Sequence, residues 1–233
     1  MKLVVRDVAT LLGVPEKTVF RWIGRMKLPA HRINEQYRFN RTEVLEWATA
    51  NRIPLSVEIL KENDSDEMPG LASALRSGGV HHDVGGRDRR DLLGEVVKTL
   101  PLPETADRTL VLDVLLAREA AGSSGIGEGI AIPHVRHPLI INVTAPFVSL
   151  CFLREPVEWN AADGRPVHTL FLIVSPTVRG HLGLLSRLSF ALQKTGFKDS
   201  VARKASAAEI FGEAERVDAV IRDTPDGTGG GRP

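Results

Sequence analysis

Residues 118–137 place four glycines and a proline ahead of a histidine, in the run REAAGSSGIGEGIAIPHVRH. Glycine has no side chain, so the backbone at such a residue can approach a ligand closely. Pro133 has a fixed φ and stiffens the segment that presents His134. The pattern therefore predicts a loop that holds one histidine still beside a small anion. The four glycines are Gly122, Gly125, Gly127 and Gly129.

The predicted anion site lacks the signature of a nucleotide site. The Gly-x-x-x-x-Gly-Lys-Ser/Thr pattern that cradles nucleotide phosphates is absent from the sequence. The glycine-rich run therefore indicates binding of a phosphate group without a nucleotide.

These residues resemble a known family. The run LLAREAAGSSGIGEGIAIPHVR resembles the phosphohistidine signature of enzyme IIA domains of the bacterial phosphotransferase system (PTS), in the fructose, mannitol and nitrogen-regulatory branch. Arg118, Glu119, Gly-Ile-Gly and Gly-Ile-Ala-Ile-Pro-His occur in register, and the resemblance spans about residues 68–222.

The resemblance implies a phosphocarrier site that needs neither a metal nor a cofactor. His134 would accept a phosphoryl group from a phosphohistidine donor protein of the HPr type. Arg118 would neutralise the phosphoryl oxygens, and His181, in the Arg-Gly-His-Leu that opens a later helix, would pack against them. Gly129 would support the phosphate site. The Val135-Arg136-His137 that follows the acceptor departs from the family pattern, and there Arg136 would add positive charge beside the site.

Two alternatives to this site stay open from the residues alone. His134 and His137 form a His-x-x-His that could bind zinc together with His181 or His168, although Pro138 and the lack of nearby Cys or Asp ligands oppose it. A serine nucleophile at Ser123 or Ser124 would lack the Gly-x-Ser-x-Gly elbow. His137 is also a second, less rigidly held candidate for the phosphoryl acceptor.

Composition and charge divide the chain into two parts. In 233 residues, 42% are hydrophobic and 25% charged, with one cysteine, no run of eighteen apolar residues and no signal-peptide layout. We therefore expect a cytoplasmic protein without membrane insertion. Residues 1–56 carry ten Lys/Arg and five Asp/Glu, whereas the remainder carries 20 and 24. A basic front end on a slightly acidic body suggests two domains with different partners.

The basic front end has the pattern of a helix-turn-helix. One short helix is predicted over residues 5–12, Gly13 breaks it, and Pro15 opens a second helix to about Lys27. A hairpin with its tip at residues 34–36 follows, and then a helix that Asn40 would cap, with Glu43 at capping-box spacing.

The stretch from Val5 to Ala48 resembles the excisionase/MerR-like winged helix-turn-helix family, which implies DNA as a partner. Base or phosphate contacts are expected from the second helix, and contacts to the neighbouring backbone from the wing. One copy would bind weakly, so a homodimer or tandem sites are implied. The alternatives are a solvated basic face or a protein-docking module. The expected contacts are Lys17, Thr18, Arg21 and Arg25 on the helix, and Arg32 and Arg38 on the wing.

The sequence thus predicts two domains, a small winged helix-turn-helix that is mostly α with a β-hairpin, and an α/β domain whose mixed sheet is covered by helices on both faces. The predicted boundaries are 1–52 for the first domain, 53–67 for a linker, 68–222 for the second domain and 223–233 for a disordered tail. Within the second domain a strand is expected around residues 80–84, and further strands over 142–153 and 168–174. Helices are expected over 87–100, 107–119, 181–194, 198–204 and 207–221, and Asp163-Gly164 should form a turn.

Two functions fit this organisation. In the first, the protein is a DNA-binding regulator in which phosphorylation of His134 changes the docking between domains, or the oligomeric state, and so the affinity for DNA. In the second, it is a phosphocarrier that passes the phosphoryl group to a separate sugar-specific IIB partner, and the front domain is only a docking module. A DNA-binding domain is an unusual accessory for transport, which favours regulation.

Overall fold

The computed structural model describes residues 2–33, 35–51, 53, 69–134 and 143–223. The predicted linker and tail lie outside these residues, except for Ile53 and Asp223, and so do Arg136 and His137. We call residues 2–53 the head and residues 69–223 the body. In the described part of the chain, no helix is both long and apolar enough to cross a membrane.

The head contains three helices and a three-stranded sheet. The strands are β1 (Lys2–Leu3), β2 (His31–Ile33) and β3 (Gln36–Asn40), and the helices are α1 (Val5–Leu11), α2 (Glu16–Arg25) and α3 (Arg41–Ala50). All strand pairs are antiparallel, in the order β1-β3-β2. This is the predicted helix, turn, basic helix, wing and closing helix.

Local chemistry explains the element ends of the head. Gly13 has φ 62°, which lets the chain turn sharply between α1 and α2. Asn40 caps α3, since its side-chain oxygen accepts a hydrogen bond from the Thr42 N–H at 2.9 Å. The predicted capping box is only half formed, because Glu43 Oε2 lies 3.3 Å from His31 Nε2.

The body is built on a five-stranded mixed sheet of order β4-β7-β8-β6-β5. The pairs β4/β7 and β6/β8 are parallel, and β7/β8 and β5/β6 are antiparallel. The strands are β4 (Val80–Val84), β5 (Gly125–Gly127), β6 (Ile130–Ala131), β7 (Phe147–Val157) and β8 (Val167–Val174). The helices are α4 (Leu71–Gly78), α5 (Arg89–Thr99), α6 (Arg108–Ala120), α7 (Val178–Ala191), α8 (Thr195–Ala202) and α9 (Ala207–Asp223).

Helices cover both faces of this sheet, which confirms the predicted fold class. Alternate residues of β7 face opposite sides, as the two-residue period of a strand requires. Phe152 packs in the core shared with α4, α7, α8 and α9, whereas Cys151 and Leu153 pack in the core shared with α5 and α6. Both faces being covered explains why the central strands are so apolar.

Several elements of the body differ from the sequence prediction, and three of the differences have an identifiable cause. Helix α4 was not predicted, because its cap is remote in sequence: Asp218 of α9 accepts hydrogen bonds from the N–H groups of Leu71 and Ala72, each at 2.9 Å. Helix α7 begins at Val178, three residues earlier than predicted, because the Thr177 hydroxyl caps it. Strand β7 begins at Phe147 rather than near residue 142, directly after Pro146, which has no N–H to donate.

The head packs against the body through α3. This helix contacts α7 and β5, and the buried Thr49 Oγ1 lies 2.7 Å from Ser189 Oγ of α7. The apolar core of the head is continuous with the core on one face of the sheet. Helix α3 is therefore at once the closing helix of the head and its contact with the body.

Candidate functional site

His134 follows β6 and is held at the edge of β8. The Pro133 carbonyl accepts a hydrogen bond from the Ile173 N–H at 3.2 Å, and His134 bridges to Ile173 in parallel register. His134 Nδ1 lies 2.8 Å from the Ile132 carbonyl oxygen. Since a carbonyl only accepts, Nδ1 carries a proton, and Nε2 is the ring nitrogen directed at the other site residues. The residue is 2% exposed.

Arg118 approaches Nε2 of His134 from the last turn of α6. Its Nε lies 3.3 Å from His134 Nε2, and its Nη1 donates to the Gly122 carbonyl at 2.8 Å. The second contact anchors the guanidinium on the glycine-rich loop. An arginine presents its donors in a rigid planar fork, which suits it to hold phosphoryl oxygens.

His181 packs on His134 from the first turn of α7. The two ring centroids are 4.8 Å apart at 39°, and His181 is 5% exposed. The structure therefore brings His134, Arg118 and His181 together, although 63 residues of sequence separate Arg118 and His181.

The fourth member of the site was not predicted. Glu46 of α3 extends from the head into the body, where its Oε1 lies 2.9 Å from His134 Nε2 and its Oε2 3.3 Å from Arg118 Nη2. The sequence carried only a weak signal for this contact, since Glu46 lies one helical turn from Thr49 and Ala50.

Glu46, His134 and His181 also form a group of potential metal ligands whose atoms lie within 4.8 Å of one another. This differs from the zinc alternative of the sequence, which combined His134 and His137 with His181 or His168. The Arg118 guanidinium opposes a divalent cation at this group, because it contacts both Glu46 and His134 and already supplies the local positive charge.

A cavity of about 420 Å³ adjoins this cluster. Head and body both line it, with Glu46, Trp47 and Ala50 on one side and Arg118, Ser124 and His134 among those on the other. The site is thus placed at the junction of the two parts of the chain.

Hydrogen bonds fix the loop between α6 and β5. The Ser124 N–H donates to the Glu119 carboxylate at 3.1 Å, and the Ser123 hydroxyl donates to the Trp159 carbonyl at 2.7 Å. The Trp159 indole N–H donates to Ser124 Oγ at 3.1 Å. Both serine hydroxyls thus serve to hold the loop, which leaves the nucleophile alternative without support.

Gly129 lies apart from the cavity. It forms the turn into β6 with φ 73°, and its carbonyl accepts hydrogen bonds from His168 and Thr169. A Cβ at this position would come within 2.3 Å of the His168 ring, so the glycine is required for packing. Gly129 thus has a packing role at one end of β6, whereas His134 follows the other end, and its support of the phosphate site stays a prediction.

The residues expected to contact DNA lie on the surface of the head. Lys17, Arg21 and Arg25 of α2 and Arg32 of β2 are exposed. Thr18 and Arg38 are partly buried, and Arg38 Nη2 donates to Gln36 Oε1 at 2.8 Å. Phe20, which is 49% exposed, adds an apolar residue to the outer part of α2. No residue of α2, which is described over its whole length, lines the cavity.

Two family descriptions match the sequence. The one described as "Phosphoenolpyruvate-dependent sugar phosphotransferase system, EIIA 2" matches residues 74–213, and the one described as "Helix-turn-helix domain" matches residues 3–52.

Similar proteins agree with the match over the body. A nitrogen regulatory protein of Pseudomonas aeruginosa is 34% identical over 148 residues, which cover 62% of this chain and 93% of that protein. A PTS fructose-specific EIIABC component of Bacillus subtilis is 30% identical over 142 residues, or 60% of this chain and 20% of that protein. The crystal structure of nitrogen regulatory protein IIA-Ntr from Neisseria meningitidis superposes with a TM-score of 0.50 at 30% identity, covering 64% of this chain and 97% of that one.

Proposed function

Because the chain belongs to the EIIA type 2 family of the phosphoenolpyruvate-dependent sugar phosphotransferase system and carries a helix-turn-helix domain in front of it, we propose that it is a DNA-binding regulatory protein that is phosphorylated on His134. EIIA domains are phosphocarrier components that take up and pass on phosphoryl groups on a histidine. The observation that supports His134 as this histidine is the convergence of Arg118 and His181 on its ring.

The proposed reaction is an exchange between two imidazoles. The lone pair on Nε2 of neutral His134 attacks the phosphorus atom of a donor protein's phosphohistidine. A nitrogen–phosphorus bond forms on His134, the corresponding bond on the donor breaks, and its electron pair returns to the donor's nitrogen. Such a transfer depends on in-line positioning and on stabilisation of the phosphoryl charge rather than on a strong acid or base.

The described residues divide these tasks. The hydrogen bond from Nδ1 to the Ile132 carbonyl orients the His134 ring and sets the tautomer that leaves Nε2 as the nucleophile. Arg118 supplies positive charge beside Nε2, and the bond from its Nη1 to the Gly122 carbonyl holds the guanidinium in place before the phosphoryl group arrives. His181 covers the ring from the other side and restricts its rotation.

The head supports the DNA-binding part of the proposal. Exposed Lys17, Arg21 and Arg25 lie on α2, the second helix of the helix-turn-helix, which is the helix that enters the major groove in this motif. The wing adds Arg32 and Arg38 beside it. Nitrogen regulation and control of transcription by this chain are part of the same proposal, because similar proteins carry the name of nitrogen regulatory proteins.

A second function has a specific observation in its favour. The similarity to a fructose-specific EIIABC component supports transfer of the phosphoryl group from His134 to a separate IIB partner. A phosphorylated sample of this chain that labels an isolated IIB domain would support transport, and one that keeps its label while it binds DNA would support regulation.

The proposal is tested by phosphoryl transfer from a phosphorylated HPr-type donor, followed as acid-labile phosphate on this chain. His134→Ala should lose all label, and Arg118→Lys should slow labelling by about 10²-fold, the loss typical of removing one preorganised donor. His168→Gln, a histidine variant outside the cavity, is the matched control and should label like wild type. Label retained by His134→Ala, as would occur with His137 as the acceptor, contradicts the assignment.

A further inference from the structure

We propose that the head is an internal ligand of the phosphoryl site: the Glu46 carboxylate occupies the position that the phosphoryl group takes, so docking of the head and phosphorylation of His134 exclude each other. This inference rests on the proposed function and adds the regulation of the same site. The surface concerned is the face of α3 that carries Glu46 and Thr49, which packs against α7 and β5.

The docked head restricts access to the phosphoryl site. The side chains of His134, Arg118 and Glu46 are 3%, 11% and 13% exposed. A donor protein has to bring its own phosphohistidine in line with Nε2, within bonding distance of the phosphorus. With α3 in place the Glu46 carboxylate lies 2.9 Å from Nε2, so the docked arrangement leaves no room there for the phosphorus atom of a donor protein.

The Glu46 carboxylate also resembles a phosphoryl group in its chemistry. Glu46 presents two anionic oxygens to the groups that a phosphoryl group would use, with Oε1 2.9 Å from His134 Nε2 and Oε2 3.3 Å from Arg118 Nη2. A phosphorus atom bonded to Nε2 would lie closer to that nitrogen than Oε1 does, and its oxygens would fill the space of the carboxylate. The two anions therefore compete for one guanidinium and one ring nitrogen.

Pairing with Glu46 also leaves His134 Nε2 without a lone pair for the reaction. A carboxylate oxygen can form a hydrogen bond with Nε2 only if Nε2 carries a proton, and Nδ1 already donates to Ile132. In that pairing both ring nitrogens are protonated, and Nε2 has no lone pair with which to attack phosphorus. The nucleophilic ring is the neutral one, which accepts from Arg118 Nε instead. Glu46 thus opposes the reaction in two ways. It occupies the space that the phosphoryl group needs, and its hydrogen bond requires a proton on His134 Nε2.

Phosphorylation of His134 should in turn release the head from the body, because it places two negative groups in one site. A phosphoryl group carries about −1.5 to −2 charges at neutral pH, and among the described residues Arg118 is a cation that contacts both Glu46 and His134. Placing this charge on Nε2 sets it against the Glu46 carboxylate in a site of low exposure, where repulsion is poorly screened. The phosphorylated body therefore favours the undocked head, and the donor protein competes with α3 for the same surface.

The structure offers a covalent lock to test this. Thr49 of the head and Ser189 of the body have hydroxyl oxygens 2.7 Å apart, so cysteines at both positions place two sulfur atoms within reach of a disulfide. The native Cys151 is fully buried, and burial raises the pKa of its thiol to about 12, which keeps it from competing. The variant Thr49→Cys/Ser189→Cys can thus be closed by oxidation and reopened by reduction.

Labelling by a phosphorylated HPr-type donor should fall by about tenfold or more in the oxidised double variant and return on reduction, a coupling of the usual allosteric size. Each single cysteine variant should label equally under both conditions. Equal labelling of the oxidised and reduced double variant overturns the inference while leaving the proposed function intact. Absence of label on wild type and on the reduced variant, with a donor that labels another acceptor, overturns both.

A second variant removes the competing charge without a lock. Glu46→Gln should be labelled roughly fivefold faster than wild type. The substitution removes the competing carboxylate and, with it, the hydrogen bond that requires a proton on His134 Nε2. Glu43→Gln is the matched control: Glu43 lies one turn earlier in α3 and lines the same cavity, but its carboxylate contacts His31 within the head. Equal labelling rates for Glu46→Gln and Glu43→Gln contradict the role of Glu46.

Discussion

At the scale of the residue, His168 illustrates how position changes the chemistry of a histidine. It lies in β8 behind the glycine-rich loop, its ring against Gly129 and its Nδ1 2.9 Å from Thr169 Oγ1. Burial, with a smaller effect of the positive charge on Lys204, lowers the pKa of His168 below its ordinary value of 6.5. The folded protein therefore binds this proton less readily than the unfolded chain does.

This lowered pKa predicts a pH dependence of stability. Above pH 6.5 both states leave His168 neutral, so it adds no pH dependence there. As pH falls through 6.5 the unfolded chain takes up the proton first, and the free energy of unfolding should decrease. Urea unfolding of wild type and His168→Gln between about pH 8 and pH 5 measures the difference. Two curves that run parallel over the whole range would show that His168 contributes nothing.

At the scale of the element, α2 combines two separable faces. Val19 and Trp22 are buried in the head, whereas Lys17, Arg21 and Arg25 are exposed. The same helix can therefore hold the fold and present charge, and removing the exposed charges should change binding without changing folding.

The expected result is a change in the salt dependence of DNA binding. With Lys17→Ala/Arg21→Ala, the slope of log affinity against log salt concentration should become shallower by about 0.9 for each DNA phosphate that is no longer neutralised. Fluorescence anisotropy with a labelled duplex over a salt series measures it. Arg90→Ala/Lys98→Ala, which removes two exposed charges from α5 of the body, is the charge-matched control. If both double variants reduce the slope equally, α2 is not the DNA-binding surface.

At the scale of the whole molecule, the junction of head and body contains both an apolar core and a contact to the proposed phosphoryl acceptor. The apolar core runs continuously from the head to one face of the sheet, and the contact between Glu46 and His134 lies at its margin. A charge added at His134 therefore acts on the relative placement of two domains, although it changes only one ring.

Small-angle X-ray scattering can detect this change of placement. A compact chain of this length has a radius of gyration of about 17–18 Å, and release of the head should raise it by roughly several ångströms. Wild type should expand on phosphorylation, while His134→Ala treated with the same donor should not. An unchanged radius for fully phosphorylated wild type would mean that the head stays docked.

The sequence by itself determined the local features of this protein. The glycine-rich run with its stiffened histidine, the helix-turn-helix with its wing, and the strands β4 and β8 could be predicted, because periodicity, turn residues and caps act within a few residues. Asn40 caps α3 from the adjacent position, and such a signal can be read directly.

Only the tertiary structure decided which distant residues meet. Asp218 caps α4 from 147 residues away, and Glu46 reaches His134 across 88 residues. Neither pairing leaves a periodic trace, because a carboxylate on a helix is equally compatible with water. What selects the pairing is the packing of α9 beside α4 and of α3 against α7 and β5, which brings anions to an unpaired helix start and to an arginine. The glycine-rich run and His134 can therefore be recognised from neighbouring residues in the sequence, whereas the contact of Glu46 with His134 follows only from the fold.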